Sequence, residues 1–73
     1  MNTKNPIKEY SANFIGRKVG AIGGLISIHT HTKGINPKEA ILSLYDYWEH
    51  IEKLVLTDIK TGDCYDLNEN KLT

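Results

Sequence analysis

Three histidines and one cysteine are the side chains here with the widest chemical range. His29 and His31 stand two apart, so on a strand both imidazoles share one face. Zinc needs three or four donors converging at about 2.0–2.3 Å. His50 falls on the polar side of an expected helix, and Cys64 sits in a distant hairpin. The expectation is therefore two surface histidines and no metal. Cys64 has no His or Asn at a spacing typical of a nucleophile and reads as a small, half-buried side chain. The carboxylates of the second half are scattered over turns and one helix exterior, with no acid–base pair in a cleft. Gly16, Gly20, Gly23 and Gly24 do not match a phosphate-binding loop, and no helix follows them at once. The chain reads as a non-enzyme without a cofactor.

The elements that position these residues begin with a hairpin. Gly23-Gly24 lies between apolar runs and reads as a two-residue turn, because glycine takes the positive φ such turns need. That turn pairs Ile22 with Leu25, Gly20 with Ser27, Lys18 with His29 and Gly16 with His31 on one face. The other face pairs Ala21 with Ile26 and Val19 with Ile28, and is apolar as a core face should be. Residues 10–22 form the first strand, with Tyr10, Ala12 and Phe14 on a common face and Gly16 or Gly20 marking a bulge. Leu25 to Thr32 form the second strand.

Asn36, Pro37 and Glu39 make an N-cap, a first helical position and a capping box. Ala40, Ile41, Leu44, Tyr47, Trp48 and Ile51 then follow helical spacing, which predicts a helix from Pro37 to Lys53. Leu54 to Ile59 reads as a third strand. Lys60-Thr61-Gly62 reads as a turn that pairs Ile59 with Asp63, Thr57 with Tyr65 and Val55 with Leu67.

The sum is an α+β fold of the ββαββ type, one helix on one face of a four-stranded, mostly antiparallel sheet. Residues 1–9 read as a flexible tail, 10–68 as one domain and 69–73 as a C-terminal tail. Two strand orders fit this element order. One places the second and third strands at the centre. The other places the first and fourth there, and in that topology alone the chain resembles the immunoglobulin-binding domains of streptococcal protein G.

A chain of 73 residues buries only about 60% of its unfolded surface. One cysteine builds no disulfide framework, no apolar run approaches the roughly 18 residues of a membrane span, and the N-terminus lacks the apolar stretch of a signal peptide. These features predict a cytoplasmic protein. Net charge is zero, but residues 1–38 carry six basic side chains against one acidic, and residues 39–73 carry three against eight. Such asymmetry can mark an interaction surface.

Two surfaces are candidates for a protein partner or for a second copy in a homodimer. One is the outer face of the first hairpin, with Arg17, Lys18, Ser27, His29, His31 and Lys33. The other is surplus apolar surface at Leu42, Tyr45 and Leu56, since one helix cannot cover both faces of the second hairpin. The function expected is a small binding module acting as inhibitor or adaptor. Its size, its lack of catalytic motifs and its Asn-, Lys- and Ile-rich composition are in the style of phage proteins that block host enzymes or defence systems. The alternative is an RNA- or DNA-binding module that stacks bases on Tyr10 and Phe14 between basic groups.

Overall fold

A computed structural model describes residues 6–72. It has one helix and a four-stranded antiparallel sheet, with the helix between the second and third strands. The strands are β1 (Lys8–Lys18), β2 (Ile26–Gly34), β3 (Trp48–Asp58) and β4 (Cys64–Tyr65), and the helix is α1 (Pro37–Leu44). The order across the sheet is β2-β1-β3-β4. Neither expected order holds. The centre is the antiparallel pair β1–β3, so the likeness to protein G ends at the element order. Tyr10, Ala12 and Phe14 give β1 a continuous apolar face, and it is fully flanked.

The first hairpin is in a different register. Phe14 lies opposite Ile28, Asn13 opposite His29 and Ser11 opposite His31. The shift from the glycine-turn register is five residues. It is odd, so it exchanges the faces of β1 relative to β2. Gly23-Gly24 is not a tight turn but part of a longer connection, residues 19–25, with positive φ at Gly20 and Gly23. Val19, Ile22 and Ile26 stand exposed instead of filling a core. The core-facing alternation of Tyr10, Ala12, Phe14, Ile28 and Thr32 decides the register.

The helix stops eight residues in, at Leu44. Its start is as expected: Asn36 Oδ1 accepts the Glu39 N–H at 2.9 Å, and Pro37 opens the first turn. Its end tightens into i→i−3 bonds from Tyr45, Asp46 and Tyr47. The chain then enters the sheet, where the Val19 N–H donates to the Tyr47 carbonyl at 2.9 Å.

Trp48, Ile51 and Leu54 therefore belong to a strand. Their three-residue spacing comes from two bulges. Between Asn13 and Arg17 the β1–β3 register slips twice, and β3 carries one extra residue each time. The extra residues are His50 and Lys53, at φ 57° and 54°. Each left-handed residue returns the next apolar side chain, Ile51 or Leu54, to the helix side, where both are buried. At the first bulge the Glu49 carbonyl comes so close that a Cβ on Gly16 would lie 3.0 Å from it. Gly16 does mark a bulge, but in the neighbouring strand.

The core is Tyr10, Ala12, Phe14, Ile28, Ala40, Ile41, Leu44, Ile51, Leu54 and Leu56, with Trp48, Tyr65 and Leu67 against it. Phe14 and Trp48 meet edge to face, with centroids 5.9 Å apart. Thr32 is buried but donates its hydroxyl to the Ala40 carbonyl at 2.8 Å. Gly34 lies flat under the helix, where a Cβ would fall 2.4 Å from the Ala40 nitrogen.

The second hairpin is one residue out of the expected register, with Leu56 opposite Tyr65 and Thr57 opposite Cys64. Asp58 sets this loop. Its Oδ1 accepts the Lys60 and Thr61 N–H groups, and its carbonyl accepts from Gly62 at 2.7 Å. Lys8 and Glu9 belong to β1, while residues 1–5 lie outside the described residues. The C-terminal segment folds back on β4, with Tyr65 bridged to Lys71 and the Leu72 N–H donating to the Cys64 carbonyl.

Two substitution pairs test this architecture by urea denaturation. Gly34→Ala should cost about 1–3 kcal/mol by overpacking, whereas Gly24→Ala, which meets nothing within 4 Å, should be near neutral. Lys53→Gly should hold stability level or raise it by up to about 1 kcal/mol, and Lys53→Val should lower it by at least about 1 kcal/mol. Equal tolerance of glycine and valine at Lys53 would refute the left-handed bulge.

Candidate functional site

The helix covers one face of the sheet and leaves the other open. Odd-numbered residues of β1 and β2 point to the open face, among them Asn13, Ile15 and Arg17 on β1 and Ser27, His29, His31 and Lys33 on β2. Val55 joins them from β3. A shallow depression of about 290 Å³ lies there, bordered by Asn13, Ile15, Ser27, His29, Lys53 and Val55.

His29 and Asn13 are joined across the strands, His29 Nδ1 to Asn13 Oδ1 at 2.5 Å. A carboxamide oxygen only accepts, so Nδ1 is the donor in this pair, and in the neutral imidazole Nε2 carries the lone pair. His31 stands beside His29, with ring centroids 6.0 Å apart and planes at 82°.

Arg17 organises the end of this face. Its Nε donates to Glu49 Oε2 at 2.6 Å, and one terminal nitrogen donates to the Gly23 carbonyl at 3.0 Å. The other lies 3.3 Å from His50 Nε2. One guanidinium thus ties the first β3 bulge to the 19–25 connection. The hydrogen bond and positive charge of Arg17 hold the Glu49 carboxyl below its usual range.

The connection held in this way is apolar. Ile22 is fully exposed at its tip, with Val19, Leu25 and Ile26 also exposed around it. Their position follows from the register, since the β1–β2 pairing ends at Gly16 and Ile26.

The expected contact residues separate into four groups. Arg17, Ser27, His29, His31 and Lys33 share the open face. Lys18 is not on their face: the register shift puts it on the side opposite His29, where it pairs with Trp48, and it meets His31 and Lys33 only along a groove beside the helix. Leu42 and Tyr45 are exposed, but on the helix. Leu56 is completely buried and belongs to the core, because it lies opposite Ala12 on the helix side of the sheet, while Val55 lies beside Asn13 on the open face. Tyr10 and Phe14, the expected base-stacking rings, are buried as well.

Sequence reasoning missed Asn13 and Glu49. Asn13 became visible as a partner only with the β1–β2 register. Glu49 carried a local signal in the repeated Glu-x-apolar triplets Glu49-His50-Ile51 and Glu52-Lys53-Leu54. Cys64 lies against the Thr57 hydroxyl at 3.5 Å and the Gly62 carbonyl at 3.6 Å. Among the described residues, no three His, Cys, Asp or Glu side chains gather where one metal ion could be held, and no helix is long and apolar enough to cross a membrane.

The role of Arg17 has a pH signature. A carboxyl depressed by folding stabilises the fold above its unfolded value, near 4.5, and that contribution is lost as pH falls through the folded value. Glu49→Gln should flatten this part of the acid limb in pH-dependent urea melts. Arg17→Ala should flatten it too, and should speed amide exchange of residues 19–25 at least tenfold while the strand amides stay protected. Unchanged exchange in that connection would show that Arg17 does not pin it. In comparison with known proteins, no family model, curated protein or solved structure matches this chain.

Proposed function

We propose that this chain acts by binding another protein, as an inhibitor or adaptor, without chemistry of its own. The observation that carries the reading is the apolar tip at residues 19–26. An exposed isoleucine at the end of a connection normally costs solubility and gains nothing in stability. Here Ile22 is presented by a segment that Arg17 ties to the sheet. A held apolar loop loses less conformational entropy on binding than a loose one. Val19, Leu25 and Ile26 widen the patch around it. Its rim carries Lys18, which suits a partner surface with an acidic group beside an apolar hollow.

The reading of the chain as a phage-type inhibitor of a host or defence protein belongs to this proposal. It rests on size and on the lack of a catalytic constellation in the sequence. The nucleic-acid alternative loses its main support, because Tyr10 and Phe14 face the core and cannot stack on bases.

A photo-crosslinking amino acid placed at Ile22 tests the tip in cells of the source organism. It should capture one predominant protein, and Arg17→Ala should reduce that capture at least tenfold. The same crosslinker at Glu69, in the C-terminal turn beyond β4, should capture much less of it. Equal capture from both positions, or none from Ile22, would overturn the reading.

A further inference from the structure

We infer that His29 and His31 form half of a site for a zinc-class cation, completed by the same pair from a second copy aligned antiparallel along the edge of β2. The observations come from the open face and the sheet edge. They are independent of the apolar tip, so either proposal can fail alone.

The imidazole pair is arranged as metal ligands are. Two histidines two apart on a strand point the same way, and these stand with centroids 6.0 Å apart. Metal-bound histidines generally donate their second ring N–H to an oxygen, which fixes the tautomer and the ring plane. Asn13 Oδ1 does this for His29 and leaves Nε2 as the donor to a cation. Imidazole nitrogen suits zinc, copper or nickel and not the oxygen-seeking cations. Lys53 borders the depression beside His29, and Lys33 lies one residue from the strand end, opposite Glu9; both side chains are long enough to turn their charge to water.

One copy supplies two ligands, whereas zinc takes four. The edge of β2 shows where the others come from. The Glu9 carbonyl accepts from Ile59, so odd-numbered β1 backbone groups bond toward β3 and even-numbered ones toward β2. In the β1–β2 register even residues face even residues, so the N–H and C=O groups of Ser27, His29, His31 and Lys33 point outward from the edge. Among the described residues, Ser43 reaches that edge with a hydroxyl to the Lys33 carbonyl at 3.3 Å. Of the usual protections of an exposed edge the strand has neither proline nor bulge, and its one lysine, Lys33, lies next to its end.

Antiparallel pairing of two identical strands is isologous. Centred on Thr30 it matches all of Ile26–Gly34 with itself. His29 then faces His31 of the other copy and His31 faces its His29, as hydrogen-bonded pairs about 5.5 Å apart at Cα. Along each strand the two histidines are about 6.7 Å apart. Four imidazoles rise from the corners of this rectangle on one continuous open face, close enough to converge on one ion at about 2.0–2.1 Å.

Sedimentation of the full chain with zinc chloride, and with a chelator, is the test. Zinc should convert monomer to dimer at one ion per two chains, and chelator should reverse it. His31→Asn should abolish the conversion with an unchanged circular dichroism spectrum. Asn13→Ala should weaken zinc affinity roughly 10–100-fold, because Asn13 is a positioning residue, while Cys64→Ser should have no effect. Cobalt substitution should give the absorption of a tetrahedral nitrogen site. Failure to bind zinc, one zinc per chain without a change in mass, or a dimer indifferent to zinc and to His31→Asn would each overturn the proposal.

Discussion

The structure depends on how β3 keeps its apolar side chains on the helix side of the sheet. A regular strand from Trp48 to Asp58 would place Ile51 on the opposite face from Leu54. The left-handed residues His50 and Lys53 remove that conflict, each adding one position that faces water. The cost is backbone strain at residues with a Cβ. The return is burial of Ile51 and Leu54 together with Leu56. The same bulges place Glu49 opposite Arg17, and Arg17 then holds the 19–25 connection. A feature forced by the core thereby shapes the surface.

Much of the fold was legible from local patterns. The capping signals at Asn36, Pro37 and Glu39, the alternation of Tyr10, Ala12 and Phe14, and the turn at Gly62 all describe what the chain does. The helix length was misread for a physical reason: apolar residues three apart are the signature of a helix, and two bulges produce the same spacing in a strand. The first hairpin was misread because Gly-Gly between apolar residues favours a tight turn locally. The long-range demand that Phe14 and Ile28 share the core overrode it. Strand order was not legible at all, since β1 and β3 meet only through pairing between distant segments.

The candidate site was legible in part. The exposure of His29 and His31 on one face follows from their spacing alone and survives the change of register. Their neighbours do not, because an odd shift replaces Lys18 with Asn13 opposite His29. That replacement changes the chemistry from a cationic patch to a histidine held by a carboxamide. Leu56 shows a different limit: alternation puts Val55 and Leu56 on opposite faces, but which of the two turns inward is decided by the pairing of β3 with β1, where Leu56 meets Ala12.

The two edges of the sheet are unlike. β4 has two paired residues, and the C-terminal segment runs back beside it through the Tyr65–Lys71 bridge. β2 offers nine residues in unbroken register. A sheet open at both sides can recruit neighbours without limit and grow into a fibre. On the far side β4 covers only Leu56 and Thr57, and the rest of β3 there carries the bulges at His50 and Lys53, which break the flat register a neighbouring strand needs. Growth by strand addition is therefore favoured at β2 and blunted opposite, where the bulges and the folded-back C-terminal segment act together as a chain terminator.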